Sequence, residues 1–338
     1  MRKVFMKSAA GFLAAAAILT AGSMTVKLQA EEAPISVCII TSSGVDDGSF
    51  NQDCYNGIKA FIEEHPDCTV TDIKETDYNE LIPTVEKSAG DYDVFVLPGF
   101  NFAGIGDIAM NNPDKKFIVV DSTITDSEGN AVTLDNVYTM TFKEQEGGFY
   151  AGVAAALTSQ SGKVAVVNGM PFPSNVNYEL GFMSGVNYAN ENYGSSASCV
   201  ELPSYAGTDL FGNDVGGNYT GDFQDEAQGK VVGEALIAEG CDVDQFDDGV
   251  NGSGNIILTS ALKVMHSNVT LQLEKIYDGS FSGEDALLGA DTDSTGYVSE
   301  EGRQQLSEDA LEKLAECSEL LKSGEIVPAS QGDFQGLK

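Results

Sequence analysis

Apolar residues along the chain occur in two spacings. Val37-Cys38-Ile39-Ile40, Val94-Phe95-Val96-Leu97, Phe117-Ile118-Val119-Val120 and Val164-Ala165-Val166-Val167 are short unbroken runs. Runs of that length, bounded by polar or glycine-containing stretches, read as strands buried on both faces. Elsewhere apolar positions recur every three or four residues, as at Tyr55, Ile58, Phe61 and Ile62, or at Leu81, Val85 and Ala89. That spacing predicts helices with one buried face. The predicted order is a strand at 37–40, a helix at 52–62, a strand at 69–76, a helix around 81–89 and a strand at 93–97. A helix at about 103–111 then closes at Asn112-Pro113, and strands follow at 116–121 and 137–142. Apolar strands alternating with amphipathic helices imply parallel βαβ units and an α/β fold.

A similar strand–loop–helix outline starts again further on. A glycine-containing helix at 144–157 leads to a strand at 163–169, a helix at 178–193 and a strand at 198–203. Residues 207–222 are polar and glycine-rich and read as a long loop. A helix runs to about Glu239, a strand is predicted at 256–259, a helix at 260–277 and a short strand near 287–289. Ser307-Glu308-Asp309 supplies a cap and first-turn acids for a last amphipathic helix at 307–322. The repeated outline predicts two α/β lobes, each a mostly parallel sheet flanked by helices. The 338-residue length is natural for two such units.

Residues 44–51, Gly-Val-Asp-Asp-Gly-Ser-Phe-Asn, lie between the first strand and the first helix. Loops at the carboxyl ends of parallel strands are where open α/β sheets take ligands. Phe50 and Asn51 are therefore expected to meet a small planar ligand.

Charge narrows the function classes. The chain has 52 acidic and 18 basic residues, a net charge of −34. A surface of that sign repels phosphate backbones, so nucleic acid is not an expected partner. Only two histidines occur, His65 and His266, which leaves little material for a catalytic triad or a histidine-based zinc site. No glycine-rich phosphate loop follows a strand, and no Gly-x-Ser-x-Gly is present. Asp291-Thr292-Asp293-Ser294-Thr295-Gly296 resembles the start of a calcium loop. Its twelfth position is Gly302 rather than a bidentate acid, so it reads as a polar turn. The acids from Asp242 to Asp248 form a denser group. They suit either a solvated loop or acceptors for a sugar's vicinal hydroxyls.

The first 30 residues read as a signal peptide. Arg2, Lys3 and Lys7 precede a small-residue apolar run at 9–21, and Leu28-Gln29-Ala30 offers a cleavage site. No cysteine follows that run before Cys38, so lipid attachment at the cleavage point is not expected. The chain is expected to be exported, and its six scattered cysteines are expected to be buried thiols rather than a disulfide framework.

Six stretches in order resemble the basic membrane protein family, the purine-nucleoside-binding receptors of ABC importers. They are Asp46-Asp47-Gly48-Ser49-Phe50-Asn51-Gln52, the run from Phe142 to Gly152 (Phe-Lys-Glu-Gln-Glu-Gly-Gly-Phe-Tyr-Ala-Gly), and Gly181-Phe182-Met183-Ser184-Gly185. The others are Gly221-Asp222-Phe223-Gln224-Asp225, Asp242-Val243-Asp244-Gln245 and Leu258-Thr259-Ser260-Ala261-Leu262-Lys263. The resemblance runs from about 35 to 328. It implies a type I periplasmic-binding-protein fold with hinge crossovers, no enzyme activity and no cofactor. It also implies a purine nucleoside ligand of the inosine, guanosine or adenosine class, and an ABC permease as partner. The implied lobes are 35–142 plus about 260–285, and 143–259 plus about 286–328. Carried onto this chain, Phe50 and Phe223 would stack on the base, Asn51 and Asp121 would bind its edges, and Asp242 and Lys263 would hold the ribose. Asp47 joins the ligand set from the opening loop.

This chain departs from the family at one place. Relatives carry a further strand–helix–strand between the helix ending near Gly240 and the Val-Asp-x-Asp-Gln strand. Here Gly240-Cys241-Asp242 runs straight into Val243-Asp244-Gln245. Roughly 30 residues are absent by the usual length of a parallel crossover and its strands. The second sheet is therefore expected to be incomplete. Two other readings remain beside the receptor: a nucleoside hydrolase using Asp46, Asp47 and Asp121 with a metal, and a relative that keeps the fold without binding nucleoside.

Overall fold

The computed structural model describes residues 33–209, 211–223, 225–242 and 258–331. The signal peptide, the acids from Asp244 to Asp248 and the pair Ile256-Ile257 lie outside the described residues.

The chain runs β1 (Ser36–Thr41), α1 (Phe50–Glu64), β2 (Thr69–Lys74), α2 (Leu81–Ser88), β3 (Val94–Pro98), a 3-10 turn at Phe100–Ile105, α3 (Gly106–Asn111) and β4 (Lys116–Val120). A small hairpin of β5 (Ile124–Thr125) and β6 (Ala131–Val132) precedes β7 (Val137–Phe142). Next come α4 (Glu144–Thr158), β8 (Lys163–Val164), α5 (Pro173–Tyr193), β9 (Ser198–Cys199), β10 (Gly207–Thr208), β11 (Asp214–Gly216) and α6 (Glu226–Ala238). The described remainder is β12 (Ala261–Lys263), α7 (Met265–Tyr277), β13 (Glu284–Leu288), β14 (Thr295–Tyr297) and α8 (Glu308–Ser323).

Six parallel strands make one sheet in the order β13-β7-β4-β3-β1-β2. The unbroken apolar runs follow from burial on both sides. Val37, Ile39, Val94, Val96, Ile118 and Val120 pack under α1 and α7. Cys38, Ile40, Phe95, Leu97, Phe117 and Val119 face the opposite way, toward α2 and α3. Side chains alternate faces along a strand, so a strand covered on both faces needs an apolar residue at every position. The chain leaves β1 for β2 on one side and returns to β3 on the other, which places a topological switch between β1 and β3.

The second body is built differently. Helices α4 and α5 cross at backbone contact, because glycines stand at the crossing on both. A Cβ on Gly148 would lie 2.0 Å from the Tyr178 carbonyl oxygen, and one on Gly152 2.1 Å from that of Phe182. A Cβ on Gly181 would lie 2.1 Å from the Gln145 oxygen, and one on Gly185 2.2 Å from that of Phe149. Helix α5 begins five residues earlier than the apolar spacing predicts. Pro173 sits in its first turn, where its fixed φ and missing N–H are no handicap.

Among the described residues this body holds only two-stranded pairings: β8 with β9, β10 with β11, and β12 with β14. The strand predicted over 163–169 is paired at β8 alone, with one further bridge from Asn168 to Tyr219. The side chain of Asn218, 1% exposed, explains why. Its Nδ2 donates to the Val166 and Val200 carbonyls at 2.9 and 3.0 Å, and its Oδ1 accepts from the Leu202 N–H at 2.7 Å. One amide thus satisfies backbone groups that a ladder would otherwise pair. Residues 207–222 are accordingly not a featureless loop: they form the β10–β11 hairpin and bury Asn218 and Tyr219. Of the strand predicted at 256–259 only Leu258 and Thr259 are described; β12 forms at Ala261–Lys263, inside the stretch predicted as a helix from 260, and that helix starts instead at Met265. Between Ala165–Val167 on one side and Leu258–Ala261 on the other lies a cavity of about 510 Å³, lined further by α4, α5 and α6.

Three crossovers join the bodies. They are β7 into α4, β12 into α7, and β13 into the turn at Ala290–Thr292. Each is tied to another part: the Lys143 N–H donates to the Leu288 carbonyl at 2.8 Å, and the Val264 N–H to that of Ser294 at 2.9 Å. Glu146, buried on α4, accepts from the Ala290 N–H at 2.6 Å and the Thr295 hydroxyl at 2.5 Å. Asp291 and Asp293, which resembled a calcium loop, are paired with Lys143 and Lys322 at 2.9 and 2.7 Å. No disulfide joins the described cysteines.

Substituting Gly152→Val forces α4 and α5 apart and is expected to lower stability by about 1–3 kcal/mol, the usual cost of overpacking. Gly90→Ala, where a Cβ meets nothing within 4 Å, serves as the matched control with little change. Urea unfolding of both variants measures the difference.

Candidate functional site

The carboxyl ends of the first sheet deliver side chains toward the crossovers. Behind β1, the loop reaches Phe50 and Asn51 at the start of α1. Asp47 organises that start, since its Oδ1 accepts from the Ser49 and Gln52 N–H groups and its Oδ2 from that of Asn51, all at 3.0 Å. These are the N–H groups a helix leaves without an internal partner. Both oxygens of Asp47 are thus engaged by backbone, and the residue shapes the loop. Asn51 is buried, and its Nδ2 donates to the Ser43 hydroxyl at 2.7 Å.

Asp121 follows β4 directly. Its backbone turns into the left-handed region at φ 62°, uncommon for a residue other than glycine, and its N–H donates to the Met140 carbonyl at 2.8 Å. That turn presents the carboxylate to Lys263, which arrives on β12 from the second body. Asp121 Oδ2 and Lys263 Nζ are in direct contact, with side chains only 11% and 10% exposed. Asp121 Oδ1 is buried and has no hydrogen-bond donor among the described residues. A buried, charged acceptor without a donor is costly in isolation.

The ammonium of Lys263 is ringed by aromatic side chains. Its Nζ lies 5.4 Å from the ring centre of Phe50, 5.5 Å from Phe142 and 5.7 Å from Tyr178, within cation–π range. Burial alone would lower this ammonium. Asp121, with Tyr178 and Glu144 behind it, outweighs burial and holds it above its ordinary value. Burial also pushes the Tyr178 hydroxyl up to about 12, although Lys263 works against that. Glu144, the first residue of α4, is a second buried carboxyl beside the pair. Its Oε2 accepts from Asn177 Nδ2 at 3.2 Å.

The seven residues singled out from the sequence divide into groups. Phe50, Asp121 and Lys263 converge, with Asn51 and Asp47 in the adjoining loop. Phe223 stands away from the lysine, half exposed. Its ring lies 5.9 Å from Phe172, which in turn stacks on Phe100 of the first body at 5.6 Å and 29°. These three rings bridge the two bodies. Asp242 is not part of the cluster. Its carboxylate accepts from the Ser159 hydroxyl at 2.6 Å and from the Gln160 and Ser161 N–H groups at 2.8 Å, just beyond the far end of α4. A 15-residue helix spans about 20 Å, so Asp242 and Glu144 mark opposite ends of it. Burial works against the Asp242 carboxylate, but Ser159 and the two backbone donors hold it down to about 2. The capping role explains the residue without a ribose.

Sequence reasoning missed Glu144, Tyr178, Phe142, Phe100 and Phe172. In the sequence Glu144 is only the first residue of the helix predicted at 144–157, and Tyr178 the first of that predicted at 178–193. Only the crossing of α4 with α5 brings them beside Lys263.

Residues 35–199 match the Bmp family model, described as "ABC transporter substrate-binding protein PnrA-like". A "CD4+ T-cell-stimulating antigen" of Listeria monocytogenes is 28% identical over 86% of this chain and 87% of its own length. The "ABC transporter nucleoside-binding protein BmpA" of Lactococcus lactis is 26% identical over 80% of this chain and 68% of its own. In fold, the chain is similar to an ABC transporter solute-binding protein of Aeropyrum pernix. That likeness has a TM-score of 0.70 at 20% identity, over 90% of this chain and 96% of the other.

Replacing Lys263 by Met strands Asp121 as an uncompensated buried charge. Removing one member of a buried pair typically costs about 3–5 kcal/mol. The Lys263 ammonium is held above its ordinary value, so its contribution is expected to be fully present at neutral pH and to be lost only as pH rises into the strongly alkaline range. Urea unfolding of wild type and Lys263→Met at several pH values checks both size and sign.

Proposed function

Because residues 35–199 match the Bmp family model of PnrA-like ABC transporter substrate-binding proteins, we propose that the chain captures a purine nucleoside between its two bodies and passes it to an ABC permease. The observation that carries this reading is Asp121. One of its oxygens is fixed by Lys263 from the opposite body, and the other is buried without a donor among the described residues. A nucleoside offers what the site lacks: N–H and O–H donors on a flat, uncharged, ring-shaped body. Phe50 and Tyr178 supply aromatic surface next to these polar atoms, and Asn51 lies one residue beyond Phe50. Phosphorylated ligands are disfavoured, because Asp121 and Glu144 surround the one ammonium and the whole chain is strongly acidic.

The site takes groups from both bodies, so a ligand making contacts on each side favours the closed arrangement. The stacked rings of Phe100 and Phe172 add an apolar contact across the same junction. Delivery to a permease places the chain outside the cytoplasm. No helix among the described residues is long and apolar enough to cross a membrane. Asp47, assigned to a metal-dependent hydrolase in the competing reading, holds backbone N–H groups with both oxygens, which favours capture without chemistry.

Calorimetric titration with inosine, guanosine and adenosine tests the proposal, with saturable binding expected for at least one. Base–aromatic stacking is worth about 1–3 kcal/mol. Phe50→Ala is therefore expected to weaken that binding by about tenfold to a hundredfold while leaving the chain folded, as its circular dichroism spectrum checks. No heat with any purine nucleoside would overturn the reading.

A further inference from the structure

Glu144 is a buried carboxyl that the binding of a nucleoside by Asp121 and Lys263 does not by itself require. It is 4% exposed and stands where β7 crosses into α4, between the two bodies. Its one described hydrogen-bond partner is Asn177, the residue before Tyr178 on α5. The charged and titratable groups facing it are Lys263 from β12, Asp121 from the end of β4 and Tyr178 from α5. Its neighbours Lys143 and Glu146 turn elsewhere, to Asp291 and to Ala290 and Thr295. The enclosed cluster therefore holds two carboxyls and one ammonium, and that ammonium is already in contact with Asp121.

We propose that Glu144 is the proton-responsive, specificity-determining residue of this site, binding a neutral nucleoside in its protonated form and rejecting it when ionised. This rests on the nucleoside reading given above. A neutral carboxyl held at Oε2 by Asn177 keeps an O–H to donate to an acceptor atom of the ligand, such as a ring nitrogen, carbonyl or ribose oxygen. With Asp121 Oδ1 awaiting a donor, the site then presents one acceptor and one donor, which matches the mixed edge of a purine. Ionised, Glu144 places a second negative charge beside Asp121 and loses its donor, so both terms oppose binding. Burial raises the Glu144 carboxyl above its ordinary value; Lys263 pulls it back and Asp121 pushes it up further. A group whose value is raised on folding contributes stability below its unfolded value and loses that contribution as pH rises through the folded one.

The test has one arm without ligand and one with it. Without ligand, urea stability of wild type and Glu144→Gln is measured from about pH 5 to about pH 8, the range in which most folded domains are stable. In parallel, the side-chain carboxyl carbons of wild type are titrated by NMR, which needs no variant. Wild type is expected to lose stability relative to Glu144→Gln as pH rises, with one glutamate carboxyl titrating above the rest. With ligand, inosine and guanosine affinities are measured over the same range. Wild-type affinity is expected to fall with rising pH, approaching about tenfold per pH unit above the Glu144 value, and Glu144→Gln is expected to flatten the profile. A glutamate titrating normally in the ligand-free protein overturns the proposal, as does a nucleoside profile equally steep in both proteins. Absence of nucleoside binding at every pH, with the ligand-free titration intact, overturns the nucleoside reading instead.

Discussion

The contact between Asp121 and Lys263 joins two bodies that otherwise meet through three crossovers and a small aromatic patch. Each partner is fixed by its own element: Asp121 by a left-handed turn at the end of β4, Lys263 by the pairing of β12 with β14. Neither charge would be tolerated where it sits without the other. The rings of Phe50, Phe142 and Tyr178 remove water from the pair and strengthen it. That enclosure also makes the remaining oxygen of Asp121 so demanding of a donor. The same contact thus accounts for the position of the bodies and for the chemistry available between them.

The close crossing of α4 with α5 serves this arrangement. Four glycines bring the helices to backbone distance, which carries Glu144 at one helix start next to Asn177 and Tyr178 on the other. Side chains larger than hydrogen at these positions would move Tyr178 and Glu144 away from Lys263 together. Packing in the second body and polarity in the cleft are therefore one constraint. In the first body they are separate: the sheet would hold together without Asp121.

The first body was legible in the sequence because its central strands β1, β3 and β4 are covered on both faces and so read as unbroken apolar runs, while α1 and α2 each have a regular buried face. Phe50 and Asn51 were legible because a loop after the first strand has one place to be in such a sheet. The second body was less so. Asn218, in a glycine-rich stretch that reads as a loop, performs the work of a neighbouring strand, and no periodicity announces a side chain in that role. The expectation of a depleted second sheet turns on residues 243–257, which lie outside the described residues; within those described, the second body holds isolated strand pairs. A motif records residue types in order, whereas the structure places the Asp242 carboxylate on the turn after α4, a helix length from Glu144. Phe223 lies at the junction of the bodies, its ring tilted against that of Phe172. Glu144 and Tyr178 carried no local signal, since their proximity to Lys263 is created by the crossing of two helices.

The most direct measurement is a crystal structure of the chain grown with the tightest-binding purine nucleoside. The account predicts a ligand N–H or O–H within about 3 Å of Asp121 Oδ1, with the base against Phe50 and the Asp121–Lys263 contact retained. A nucleoside seated elsewhere, with Asp121 Oδ1 still lacking a donor, would contradict it.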